Sequence, residues 1–195
     1  NHWLVGKYSN AMFPLILMLD ASGYPRRWIT YEDAVTYSVK DLIAWEGGGD
    51  ALTIHGGICR MTGEQSCLRV NTIIAVRGKI CTTELSKTPT LTNRLLFRRD
   101  GNQCAYCGEH FAHFNLTRDH IIPKSKGGKD TWGNVVTSCM ACNHAKDDRT
   151  PAEAGMRLLY EPHTPTKAES LLLSNHHILP SQREFLASVI DRNKY

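Results

Sequence analysis

Residues 104–146 read CAYCGEHFAHFNLTRDHIIPKSKGGKDTWGNVVTSCMACNHAK, and this stretch decides the fold of the second half of the chain. It opens on Cys104-Ala-Tyr-Cys107 and closes around Cys139-Met-Ala-Cys142, two C-x2-C pairs separated by 31 residues. Four soft thiolates presented in two tight turns suit a tetrahedral Zn2+, and a site closed by four sulfurs leaves no open position for water. The spacing predicts a structural zinc that braces the fold, so catalytic chemistry has to be sought between the pairs. His110 and His113 compete as ligands by spacing, but the complete thiolate set makes them loop or packing residues.

Between the pairs, the alternation over Leu116 to Ile122 predicts a strand, Pro-Lys-Ser-Lys-Gly-Gly (123–128) a turn, and Asn134 to Ser138 a second strand. A helix follows, running past Cys142 to about Asp148. A hairpin packed on that helix would bring His120 beside Asp119 and Asn143 at the hairpin mouth, an imidazole next to a set of oxygen ligands for a hard cation. Over residues 90–150, nine Lys and Arg stand against six Asp and Glu, a net +3. Lys124, Lys126, Lys146 and Arg149 are the candidates for contacts to a phosphate backbone, with Lys129, Arg94, Arg98 and Arg99 behind them. Any single one of them also reads as part of a solvated face.

Working outward, the chain has 195 residues, 42% of them apolar and 22% charged, which is enough to bury a core and excludes a disordered tail. Lys and Arg number 23 against 19 Asp and Glu, a net +4 that permits a polyanionic partner without requiring one. The apolar run Phe13 to Leu19 is seven residues and contains a proline, and even with the adjoining Ala11 and Met12 it is far short of the ~20 that span a bilayer. No membrane association is expected. The chain begins at Asn1 and shows no charged segment followed by an apolar one and a small-residue cleavage site, so a cytoplasmic location is expected. Seven cysteines, an odd number, argue for reduced thiols, and Cys59, Cys67 and Cys81 read as core thiols.

The predicted fold class is α+β. A small N-terminal α+β unit (1–88) precedes a zinc-braced finger domain (89–160) and a proline-containing arm with a terminal helix (161–195). In the first unit, Leu15 to Trp28 reads as a hairpin turning at Asp20-Ala-Ser-Gly23. Thr30 caps a helix from Tyr31 to about Ala44 that Gly47-Gly-Gly49 ends, and Val70 to Arg77 is a β-branched strand. Gly47 to Leu68 matches no pattern. Residues 81–91 read as a linker. Thr92 to Asp100 is a short basic helix stopped by Gly101, and Thr150-Pro-Ala-Glu153 carries the cap signals of a further helix. Glu161 to Thr166 is an extended arm. Ser181 caps a last helix with Phe185, Leu186, Val189 and Ile190 on one face, and two roles are open to it: packing on its own domain or forming a homodimer.

The joint pattern of C-x2-C, D-H-x-x-P, G-G-x-D-x-x-x-N and C-x2-C-N-x-x-K resembles the HNH endonucleases, whose active unit is the ββα-metal (His-Me) finger, in the zinc-knuckle form of McrA-like and stand-alone bacterial members. Asp148 to Met156 also looks like the stretch that follows the motif in that group, and the first half, with Leu19 to Pro25 and its amphipathic helix, is similar to it too. The resemblance implies a metal-dependent endonuclease that hydrolyses DNA phosphodiesters, with restriction or defence among its roles. It makes His120 the general base that deprotonates water, and Asn134 the residue that holds the loop behind His120. Asn143 stands where the third letter of the motif binds metal, so that with Asp119 it would hold Mg2+ or Mn2+; Asp147 is a further candidate ligand. Two rival readings stand beside this one. One is a catalytically inactive zinc-braced DNA-binding or scaffold protein, and the other a plain zinc ribbon, for which the spacer is long.

Overall fold

A computed structural model of the chain describes residues 13–78 and 88–192, which fall into two units: 13–78 together with 167–192, and 88–166. In the first, β1 (Ile16–Asp20) and β2 (Pro25–Ile29) form the expected antiparallel hairpin. Asp20 closes it: its carboxylate accepts from the backbone of Ser22 at 2.9 Å and of Tyr24 at 3.0 Å. Gly23 takes the left-handed conformation that the turn needs, at φ +90°.

Helix α1 (Tyr31–Val39) starts at the Thr30 cap but stops short of the expected Ala44. Asp41 turns to φ +52° and the Leu42 N–H bonds back to the Tyr37 carbonyl at 2.9 Å, which releases Ile43 into the sheet. Gly47–Gly49 are not a helix stop. They lie within β3 (Ile43–Ile58), which pairs antiparallel with β4 (Gln65–Val76), and the register slips between Gly47 and Ala51 with Gly48 at φ +85°. The glycines therefore make a β-bulge. The expected strand at 70–77 is the inner end of β4, and the unassigned stretch 47–68 supplies the rest of this hairpin.

The sheet order is β2-β1-β4-β3, with β1 parallel to β4. Strand alternation divides its apolar residues between two faces. Leu17, Leu19, Ile73 and Ala75 pack on α4 (Lys167–Ser174) and α5 (Pro180–Arg192), whereas Ile16, Ile29, Val70 and Ile74 pack on Ala34 of α1. α4 has no counterpart in the sequence-based expectation. Gln182 of α5 is fully buried, and its amide donates to the carbonyls of Leu15 and Thr72, each at 2.8 Å. The stripe Phe185, Leu186, Val189 and Ile190 is part of this core. Cys59 and Cys67 are exposed, not core thiols, because they lie at the outer end of the β3–β4 hairpin. Cys81 and the linker up to Lys87 lie outside the described residues.

The second unit begins with α2 (Asn93–Arg99), capped by Thr92 and closed by Gly101 at φ +64° as expected. The hairpin β5 (Leu116–His120) and β6 (Val135–Cys139) leads into α3 (Met140–Lys146), giving the order strand, strand, helix. Leu96, Phe97, Leu116, Trp132 and Val135 form the core. α3 ends before the expected Asp148, because Asp147 adopts φ +54°. The cap signals at Thr150–Glu153 are real: the Glu153 N–H donates to the Thr150 hydroxyl at 3.3 Å and the Thr150 N–H to the Glu153 carboxylate at 2.8 Å. No helix follows, since Gly155 at φ +64° and the Met156 N–H to Pro151 carbonyl bond (2.8 Å) close the chain after one turn.

Candidate active site

The sulfurs of Cys104, Cys107, Cys139 and Cys142 all lie within 4.8 Å of one another. A tetrahedral zinc with bonds of ~2.3 Å places its sulfurs about 3.8 Å apart, so the cluster is of the right size. The first knuckle is a tight loop in which the Gly108 N–H donates to the Cys104 carbonyl at 3.0 Å, and the second is the start of α3, where Cys139 is the N-cap. The thiols fit a cation in their acidities as well. Burial opposes ionisation of Cys104, yet backbone hydrogen bonds from Cys107, Cys139 and Tyr106 bring it down to about 6. Burial, with Cys104 beside it, raises Cys107, and burial with Cys139 and Cys104 raises Cys142. The Cys104 thiolate forms readily and its charge opposes ionisation of Cys107 and Cys142, a conflict that a bound Zn2+ would remove by supplying the missing positive charge. His110 and His113 stay outside the cluster: the His110 ring bonds to the Gly101 carbonyl at 3.1 Å, and His113 packs edge-on against Phe97 at 4.9 Å.

Thr117 and Asp119 share one face of β5, two residues apart, and Asn143 and Lys146 share one face of α3, three apart. The two rows meet as rungs. The Asn143 amide donates to the Thr117 hydroxyl at 2.9 Å, and the Lys146 ammonium donates to Asp119 Oδ1 at 2.8 Å. The Tyr106 hydroxyl donates to Asp119 Oδ2. With its nitrogen on Thr117, the Asn143 amide keeps its oxygen as an acceptor, so that oxygen and the Asp119 carboxylate are oxygen donors carried by the two elements that meet here.

His120 lies on the opposite face of β5 from Asp119, as strand alternation requires. Its Nε2 meets Asp130 Oδ1 at 2.9 Å, and Arg118 donates to the same oxygen at 2.9 Å. The Arg118 hydrogen bond holds the Asp130 carboxyl below its usual range, against the opposing effect of burial and with help from His120. The structure thus brings Asn143 to Thr117 and Lys146 to Asp119 where β5 meets α3, and brings His120 to Asp130. Asn134 ties the loop behind His120: its Oδ1 accepts from the Ile122 N–H at 3.0 Å, and its Nδ2 donates to the carbonyls of Ile122 at 3.1 Å and Lys129 at 2.9 Å. Gly128 lets that loop close, because a Cβ there would lie 1.7 Å from the Ile122 carbonyl oxygen.

Of the basic candidates, Lys124, Lys126 and Arg149 are exposed. Lys126 also reaches Glu153 at 2.5 Å, and Arg149 closes the end of α3 on the Ala145 carbonyl at 2.7 Å. Lys146 is corrected: it is 1% exposed and its ammonium is committed to Asp119, so it is an internal counter-ion and not a surface charge for a phosphate. Arg99 is corrected in the same way. Its side chain is 1% exposed, paired with Asp100 at 2.7 Å, bonded to the carbonyls of Trp132 and Val135 at 2.9 Å each, and stacked on the Trp132 ring. Asp147 is exposed on the turn that ends α3. Tyr106 and Asp130 were passed over in sequence. The signal for Tyr106 is a hydroxyl inside a knuckle, and that for Asp130 its place in G-G-x-D.

A hairpin laid on a helix and clasped by a four-cysteine cluster defines this unit as a ββα finger. Residues 104–159 match the family model described as HNH endonuclease, and this part of the chain belongs to the HNH endonuclease family. A curated relative, the CRISPR-associated endonuclease Cas9 of Corynebacterium diphtheriae, is 40% identical over 50 residues, which cover 25% of this chain and 5% of that protein. Among solved structures, the Type II-C Cas9 enzyme of Actinomyces naeslundii is similar at 21% identity and a TM-score of 0.29, covering 58% of this chain and 14% of that one. The chain therefore spans a small fraction of the relatives it matches. No helix among the described residues is long and apolar enough to cross a membrane.

Proposed function

We propose that the finger is a metal-dependent nuclease that hydrolyses DNA phosphodiester bonds. His120 takes a proton from the attacking water. Its Nε2 is engaged by Asp130, which favours the tautomer carrying its proton there and leaves Nδ1 as the base. Asn134 keeps the ring in place through the loop it ties. Asp119 and Asn143 hold a divalent cation, Mg2+ or Mn2+ by the chemistry of oxygen donors. Bound there, the cation supplies charge neutralisation at the phosphate and at the departing 3′ oxygen. The four cysteines hold a structural Zn2+ that fixes the finger, while exposed Lys124, Lys126 and Arg149 meet the phosphate backbone.

The observation that carries this reading is the rung arrangement of β5 and α3. Asp119 on β5 and Asn143 on α3 both face this strand–helix contact, and at the end of the strand stands a histidine paired with a carboxylate, all within the segment matched by the HNH family model, which supports the reading. A rival reading, a DNA-binding module without activity, draws on Asp119 having a donor on each oxygen. Plasmid DNA incubated with Mg2+ or Mn2+, beside EDTA and His120→Ala controls, separates the two. Nicking that needs both metal and His120 is expected. Binding without nicking under either metal selects the rival, and nicking by His120→Ala removes His120 from the mechanism.

A further inference from the structure

Asp119 is 4% exposed, and the two groups that hold its carboxylate come one from each zinc knuckle. Tyr106 sits between Cys104 and Cys107 and donates its hydroxyl to Oδ2. Lys146 is carried by α3, which starts at the Cys139 cap and contains Cys142, and donates to Oδ1 at 2.8 Å. With a donor on each oxygen, rotation of the carboxylate about Cβ–Cγ is arrested; with one donor the plane can swing. Each oxygen has two lone pairs, so a hydrogen bond to each still leaves acceptor capacity for a cation.

From this geometry we infer that Tyr106 is a positioning residue: it orients the Asp119 carboxylate for the divalent cation and transmits to it the closure of the four-cysteine cluster. Outer partners of ligand groups act in this way in metal sites generally, by restricting the ligand's orientation before the ion arrives. The inference rests on the cation-binding role proposed for Asp119, and it links the two metal sites, so that the brace also tunes the reactive centre.

The test uses the full zinc-loaded chain and its Tyr106→Phe variant, which removes only the hydroxyl. Three quantities are measured: zinc per chain, Mn2+ affinity by electron paramagnetic resonance, and the Mn2+ concentration that half-saturates plasmid nicking. Zinc content is expected to be unchanged, the Mn2+ Kd to rise ~10-fold or more, and the half-saturating Mn2+ to rise in step. Unchanged Mn2+ affinity in Tyr106→Phe overturns the inference, and the proposed site survives that result provided that Asp119→Ala abolishes Mn2+ binding. Loss of zinc by Tyr106→Phe also overturns it, because the tyrosine would then serve the knuckle itself. If wild type and Asp119→Ala bind Mn2+ alike, the cation site fails and the role of Tyr106 fails with it.

Discussion

Replacing Lys146 by methionine separates the two roles that a lysine at this position can have. The side chain is 1% exposed and its ammonium lies 2.8 Å from a carboxylate that is itself 4% exposed. Methionine fills most of the volume but leaves Asp119 as a buried charge held only by the Tyr106 hydroxyl. Breaking a buried ion pair from one side costs about 3–5 kcal/mol, because the remaining charge keeps its desolvation penalty. Against the ~5–15 kcal/mol typical of a folded domain, this is about a fifth of the total or more. Adding Asp119→Asn removes the stranded charge, so the double variant should be more stable than Lys146→Met alone, with a coupling energy of about 2 kcal/mol or more. Guanidinium unfolding of the full zinc-loaded chain, with a chromogenic chelator reporting the opening of the cysteine cluster, measures wild type, both single variants and the double variant. The reasoning is refuted if Lys146→Met unfolds within about 1 kcal/mol of wild type while its DNA affinity drops and the salt slope loses about one phosphate contact.

Gly128→Ala should displace the strand end that carries His120, since its Cβ would sit 1.7 Å from the Ile122 carbonyl oxygen; nicking is expected to fall ~100-fold with zinc retained, as assayed by plasmid cleavage and metal analysis. Asn134→Ala removes three hydrogen bonds from a partly exposed loop and should cost about 1–3 kcal/mol, read from denaturant unfolding. Glu153 is held at about 2, first by the Lys126 ammonium and then by the Thr150 backbone. Its folded value lies below the ordinary one, so its contribution is complete above pH ~4.5 and disappears as pH falls through about 2. A carboxyl NMR titration should show this midpoint, and Lys126→Met should move it upward. Stripping zinc with a strong chelator should abolish the near-ultraviolet dichroism of the Trp132 environment together with nicking, both returning when Zn2+ is added back.

Much of the finger was legible because its signals are local. Two C-x2-C turns, a Thr N-cap, a left-handed Gly101 and alternating residues after Leu116 each depend on a few neighbouring positions, and each appears in the structure where the pattern placed it. Local signals also misled. The Thr150–Glu153 cap formed in full, yet no helix grew from it, because Gly155 closed the turn at once. Glycines 47–49 read as a helix stop, and they proved to be a bulge in β3, since a run of glycines reports conformational freedom and not the element that uses it.

The sequence by itself determined that the chain carries an HNH finger, which residue types line it, and that four of its cysteines converge, because ligand spacing and turn chemistry are short-range properties. Only the tertiary structure decided which charges are buried and which are exposed. Lys146 meets Asp119 from 27 positions further along the chain, Arg99 reaches the carbonyl of Val135, and Gln182 bonds to Leu15 from the far end of the chain. In sequence Lys146 and Arg99 look like the lysines and arginines of a solvated face. A buried cation is stabilised only by partners that offset its lost hydration; Asp119 for Lys146, and the Trp132 and Val135 carbonyls that join Asp100 around Arg99, are brought from distant positions by folding.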